Sequence, residues 1–165
     1  MVKSKLTILP FDESHRQWAG ELLEREWGST WVVSRGKLHQ TLDLPGFVAT
    51  EDDRSLGLAT YNIAGEECEL VTINSLRQGL GVGQALLQAV KRTALDHGCR
   101  RLWLITTNDN VEALRFYQRQ GFLLAALHRD ALQVSRQLKP QIPQVGKHGI
   151  PLRDEIELEM ILRPD

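Results

Sequence analysis

Six residues between a strand-like run and an amphipathic helical one, Gln78-Gly79-Leu80-Gly81-Val82-Gly83, constrain this chain more than any other feature. Glu67 to Asn74 reads as a strand. From Gln84 to His97, Leu86, Leu87, Val90, Ala94 and Leu95 recur at helical spacing, and Gly98 supplies a C-terminal stop. A strand-turn-helix of this kind aims several backbone N–H groups, and the positive end of a helix dipole, at one small volume. Such a volume suits an anion, most economically a phosphate or pyrophosphate. Side chains there would hold the anion off, and the turn can need positive φ, so glycine serves on both counts. Alone, the spacing arises by chance in roughly one chain in six of this length. A P-loop is excluded because Gly83 leads into Gln84-Ala85 rather than Lys-Ser/Thr. A dinucleotide fold wants a third glycine, an acid after the next strand and a parallel sheet. Leu86, Thr106 and the hairpin-like spacing upstream disagree with all three, which leaves a nicotinamide-binding domain as a weaker alternative.

The remaining elements follow from periodicity. Leu6 to Leu9 reads as a first strand, and Ser14 to Glu26 as a helix with Trp18, Leu22 and Leu23 on one stripe and Gly28 at its end. Trp27 to Gly46 reads as an irregular connection. Phe47 to Thr50, Leu56 to Ile63 and Glu67 to Asn74 form an antiparallel meander. After the glycine turn and its helix come a strand over Leu102 to Thr106 and a helix over Asp109 to Gln120 with Asp109 as its cap. A strand over Phe122 to His128, a short helix over Asp130 to Leu138 and a last strand over Glu155 to Leu162 complete the chain. The order predicts one mixed α/β domain over residues 1–165.

Composition removes several function classes. Twenty Lys and Arg against 21 Asp and Glu leave a net charge of -1, and no basic run exceeds two neighbours, so nucleic acid is not the expected partner. Cys68 and Cys99 lie far apart without metal spacing, which speaks against a disulfide scaffold or a metal site. The opening stretch from Met1 to Asp12 lacks the apolar run of a secretory signal, and no window approaches about eighteen apolar residues. A soluble, cytoplasmic protein without membrane partners is expected.

A second motif lies on the later helix, in Asn110-Val111-Glu112-Ala113-Leu114-Arg115-Phe116-Tyr117-Gln118-Arg119-Gln120-Gly121-Phe122. Ala113, Phe116 and Tyr117 share one stripe, and Gly121 hands the chain to a strand. With both motifs in view, the sequence resembles the GNAT superfamily of acyl-CoA-dependent N-acetyltransferases. Gln78-x-x-Gly81-x-Gly83 is similar to that family's pyrophosphate-binding signature, and Asn110-x-x-Ala113-x-x-Phe116-Tyr117-x-x-x-Gly121-Phe122 to its following helix. The resemblance implies a central, mostly antiparallel twisted sheet of about seven strands with helices on both faces. It covers most of the chain, but residues 129–153 depart from it as an insertion between the last two strands.

The resemblance also implies roles. Acetyl-CoA is the expected cosubstrate. The segment Gly79, Leu80, Gly81, Val82, Gly83 and Gln84, with Gln78 before it, would cradle the pyrophosphate, with Arg77 as an extra charge. Ile73 would pair with the pantetheine arm, and Asn110 would contact the same region. Tyr117 would stand near the sulfur as general acid, a role a phenol can fill because it stays protonated at neutral pH. A half-buried core tyrosine is the alternative. Glu67 and Glu69, expected on the same strand face as Val71 and Ile73, are candidate bases, directly or through water. Water alone suffices if the amine arrives deprotonated.

The acceptor, a small-molecule or peptide amine, would meet the variable parts of the chain, Trp27 to Gly46 and Arg129 to Arg153. Trp31, Arg35, His39, Arg153, Asp154 and Glu155 are the candidate contacts, and they suit cationic and carboxylate-bearing acceptors alike. The insertion reads as a lid over the acceptor or a homodimer contact, or else as a plain surface excursion. His128 and His148 are read as ordinary hydrogen-bonding residues. Two function classes therefore stand: an N-acetyltransferase working through a ternary complex, or a non-catalytic acyl-CoA-binding or sensing module.

Overall fold

A computed structural model describes residues 4–163; Met1 to Lys3 of the opening stretch and residues 164–165 lie outside the described residues. The order is β1 (Leu6–Pro10), α1 (Arg16–Trp27), β2 (Trp31–Ser34), β3 (Lys37–Gln40), β4 (Gly46–Glu51), β5 (Arg54–Ala64), β6 (Glu67–Ser75), α2 (Val82–Asp96), β7 (Arg101–Thr107), α3 (Val111–Arg119), β8 (Leu123–His128), α4 (Ala131–Leu138) and β9 (Glu155–Ile161). Seven strands form one sheet in the order β1-β4-β5-β6-β7-β9-β8, and β2 with β3 forms a separate hairpin. Among the described residues the sheet's pairings are antiparallel except for β6 with β7.

Helices cover both faces, each for a reason visible in the spacing. On α1, Ala19, Leu22 and Leu23 fall at i, i+3 and i+4 and are buried against Val48 and Leu58. The helix stops at Gly28, whose φ of 72° lets its N–H reach Glu24 O at 2.8 Å. On the opposite face, Leu86, Leu87, Val90 and Ala94 of α2 pack with Ala49, Ala59, Leu70, Leu102 and Leu104, joined by Tyr117 of α3. Each fully buried leucine contributes about 1.5–3 kcal/mol to this arrangement.

Two irregularities in the sheet set up everything that follows. The parallel pairing of β6 with β7 covers only Glu67–Glu69 against Arg101–Trp103. Both strands then continue, to Ser75 and Thr107, without pairing to each other. In addition, Thr60 sits opposite Thr72 while Tyr61 sits opposite Leu70, so Val71 is an extra residue, a β-bulge. The bulge corrects one sequence expectation. Because it resets the alternation, Ile73 packs with Leu70 on the α2 side, whereas Glu69 lies on the opposite face with Trp103.

Two further segments differ from expectation. The connection from Trp27 to Gly46 holds the β2–β3 hairpin, turned at Arg35 and Gly36 with φ of 49° and 73°. Two consecutive positive φ values are the signature of a two-residue turn whose twist matches its strands. The cap of α3 is Asn110, whose side chain accepts from Ala113 N at 3.3 Å. Asp109 instead accepts from Lys147 N at 2.8 Å and from Thr107 Oγ1. No helix among the described residues is long and apolar enough to cross a membrane.

Candidate active site

Where β6 and β7 part, a cleft of about 660 Å³ opens between them. Leu70, Val71, Ile73 and Ser75 line it from β6, Ile105 and Thr106 from β7, Gln78, Gly83 and Gln84 from the glycine turn, and Asn110, Ala113, Phe116 and Tyr117 from α3. The mouth is the start of α2. Gly81, the N-cap, has φ of 71°, and the first intrahelical bond runs from Ala85 N to Gly81 O. The N–H groups of Val82, Gly83 and Gln84 are therefore left without helical partners, at the positive end of the helix. Gly83 also lets α3 approach, since a Cβ there would stand 3.3 Å from Phe116 Cζ. The residues present thus suit a diphosphate at the helix start with an extended, largely apolar arm running between the strands.

Tyr117 is 7% exposed, and burial raises its phenol above the ordinary value. It stays protonated at any working pH, as a proton donor should. Neighbouring rings hold it in place, Phe116 at 5.2 Å and Phe122 at 5.6 Å between centroids, both edge to face. Burial pushes the Cys68 thiol up to about 12, which leaves it almost wholly protonated and a poor nucleophile.

The two candidate bases have different surroundings. Glu67 is exposed and faces Arg101 Nη1 at 3.4 Å. Glu69, the last residue of β6 paired with β7, is 6% exposed and accepts from Ser34 Oγ at 2.5 Å. His39 Nε2 lies 3.6 Å from Glu69 Oε2. Ser34 and His39 both belong to the β2–β3 hairpin, which therefore lies over the end of the β6–β7 pairing.

The hairpin tip is tied down at a second carboxylate. Arg35 Nη1 stands 3.4 Å from Glu155 Oε1, and Arg35 N donates to Glu155 Oε2 at 3.3 Å. Burial raises the Glu155 carboxyl, with Arg35 opposing that effect. Lys139, at the end of α4, donates to Trp31 O at 3.0 Å and Trp27 O at 3.4 Å, and burial lowers its amine. Trp31 itself is exposed. Trp27 was not foreseen as a site residue, yet it lines the cleft and donates from Nε1 to Asn74 Oδ1 at 3.2 Å.

Other expected residues lie elsewhere. Arg77 pairs with Glu51 at 2.7 Å, away from the cleft lining. Arg153 pairs with Asp154, whose carboxyl is held below its ordinary range by that hydrogen bond. His128 bonds Glu157 Oε1 at 3.0 Å. His148 bonds Glu112 Oε1 at 2.6 Å, and Glu112 is held low, first by its own backbone amide and next by His148. The insertion thereby runs from the hairpin, at Lys139, back to the start of α3, at Asp109 and Glu112.

Comparison with known proteins agrees with this frame. Residues 12–122 match the family described as the acetyltransferase (GNAT) family. The chain belongs to that family. It is 36% identical over 158 residues to the uncharacterized protein YdhI of Bacillus subtilis strain 168, covering 95% of this chain and 99% of that one. Its fold is similar to that of an IAA acetyltransferase from Bacillus cereus, with a TM-score of 0.70 at 22% identity over 96% of this chain and 100% of the other. A GNAT family acetyltransferase from Elizabethkingia anophelis, solved with acetyl-CoA bound, matches with a TM-score of 0.70 at 19% identity over 97% and 100%.

Proposed function

We propose that the protein transfers an acetyl group from acetyl-CoA to a primary amine by direct attack within a ternary complex. The observation that supports this reading most strongly is the coincidence of two features in one cleft: the unpartnered amides of Val82, Gly83 and Gln84 at its mouth, and the protonated phenol of Tyr117 within it. When bound, acetyl-CoA supplies the thioester carbonyl and its sulfur leaving group. The amides from Gly79 to Gln84 hold the diphosphate, and Val71 and Ile73 flank the pantetheine arm together with Asn110.

The chain's own residues then manage two protons. Glu69 accepts the one released by the attacking amine, and Tyr117 donates one to the departing sulfur. Of the two candidate carboxylates Glu69 is favoured, because it stands at the point where the strands part and on the face the hairpin covers. Glu67 is occupied by Arg101 in solvent. Solvent restores Tyr117 and takes the proton from Glu69, so the net products are an N-acetylated amine and free CoA.

The acceptor is read as a small-molecule or peptide amine entering beneath Arg35, His39 and Trp31, in the cytoplasm. The test is CoA release from acetyl-CoA with pooled amines, amino acids, polyamines, aminoglycosides and peptides. Turnover with an amine is expected. Tight acetyl-CoA binding with no turnover in any pool would contradict the reading and favour a sensing module.

A further inference from the structure

The wall of the cleft formed by α3 carries two cations without a counter-charge. Arg115 and Arg119 both line the cleft, and both are exposed. Four residues apart on one helix, they are neighbours on its surface, and like charges so placed disfavour the helix. Neither has an ion-pair partner among the described residues. Arg92 of α2 and Arg100, also on the surface, do find one, in Asp96 at 3.3 Å and Glu66 at 3.5 Å. Glu112, one turn before Arg115, is the carboxylate on the same wall, and it bonds His148 Nε2 at 2.6 Å instead. Phe116 joins this wall to the start of α2, since a Cβ on Gly83 would stand 3.3 Å from its Cζ. Arg115 precedes Phe116 and Arg119 follows it by one turn, so the unpaired cations and the unpartnered amides of α2 share one cleft.

We propose that Arg115 and Arg119 together bind the 3′-phosphate of coenzyme A, and so make the protein select the complete cofactor over its 3′-dephospho form. This rests on the acetyl-CoA reading and extends it to a group that the amides of α2 do not serve. Beyond the diphosphate, the cofactor carries a phosphomonoester on its ribose, close to doubly charged at neutral pH. A guanidinium fork matches two phosphate oxygens, and a pair of forks satisfies more of them than one. Bound between the two arginines, the phosphate replaces their mutual repulsion with two attractions. The pantetheine arm is uncharged and gains nothing from them. A cationic acceptor is repelled from this wall, which reserves that end of the cleft for the cofactor.

The test is calorimetry on the full chain with acetyl-CoA and with 3′-dephospho-acetyl-CoA. The wild type should bind the dephospho form more weakly by about tenfold or more. In the double variant Arg115→Gln, Arg119→Gln, acetyl-CoA should weaken to the level of the dephospho form, so that the two bind alike. The wild-type comparison decides without any variant. Equal affinity for the two ligands there, with acetyl-CoA bound, would overturn the proposal and leave the transferase reading standing. A preference that survives in the folded double variant would also overturn it, because other residues would then hold the 3′-phosphate. Binding of neither ligand would sink the transferase reading and this proposal with it.

Discussion

Glu69 of β6 and Trp103 of β7 are the last residue pair those strands share, and the cleft begins at the next residue, Leu70. The parting leaves the two strands unpaired along one edge each, in the interior of a sheet where every other neighbour is bonded. Backbone groups so exposed need a partner. In the proposed reading the pantetheine arm of acetyl-CoA, extended and carrying amide groups, is that partner, and its reactive end stops at Glu69.

Tyr117→Phe removes one hydroxyl and keeps the ring that packs against Phe116 and Phe122. Acetyl-CoA binding by calorimetry should be unchanged, and the rate of CoA release should fall by about tenfold or more. An unchanged rate would remove Tyr117 from the chemistry.

Gly81 caps α2 with φ of 71°, a conformation that costs an alanine about 1 kcal/mol. Gly81→Ala should therefore lower the thermal midpoint by a few degrees, roughly as expected for that energy. Under the proposed reading it should also weaken CoA binding more than it weakens the fold, because the positive φ of Gly81 sets the direction of the amides that follow it at the start of α2.

Lys139 ties α4 to the hairpin through Trp27 O and Trp31 O. Lys139→Met keeps the apolar stem and strips the donor, leaving both carbonyls without it. A loss of about 1–3 kcal/mol in urea unfolding is expected. Amide exchange in β2 and β3 should quicken, with α2 unaffected.

Asp154 accepts from Arg153 Nε at 2.9 Å and from Asp130 N at 2.9 Å, and its carboxyl is held below the usual 3.8. A depressed carboxyl stabilises the fold above its unfolded value, and that stability is lost as pH falls through the lower folded value. Asp154→Asn should accordingly be less stable than the wild type at pH 7, and the gap should close as pH is taken below about 3.8. A gap independent of pH would contradict the assignment.

How much of this was legible in the sequence depended on the range of the interactions. The glycine turn, α2 and α3 are local features, and Gly81, Gly83, Ala113 and Tyr117 are where the spacing put them. The hairpin over Trp31–Gln40 was missed because its turn is Arg35-Gly36, without the Asn-Gly or Asp-Gly that announces such a turn. Its alternation, Trp31 and Val33 then Leu38, was the one available signal. Asp109 and Asn110 are both good caps, and only the strap at Lys147, 38 residues on, decides between them by engaging Asp109. Ser34 meets Glu69 across 35 residues, and no local pattern encodes that contact. The bulge at Val71 is likewise invisible in the run Leu70-Val71-Thr72-Ile73, yet it sends Glu69 and Ile73 to opposite faces.

A crystal structure of the full chain with CoA tests the account at its root. The expected result is diphosphate oxygens within hydrogen-bond distance of the amides between Gly79 and Gln84, with the pantetheine lying between β6 and β7 beside Val71 and Ile73. CoA bound anywhere else, with those amides turned away from it, would contradict it.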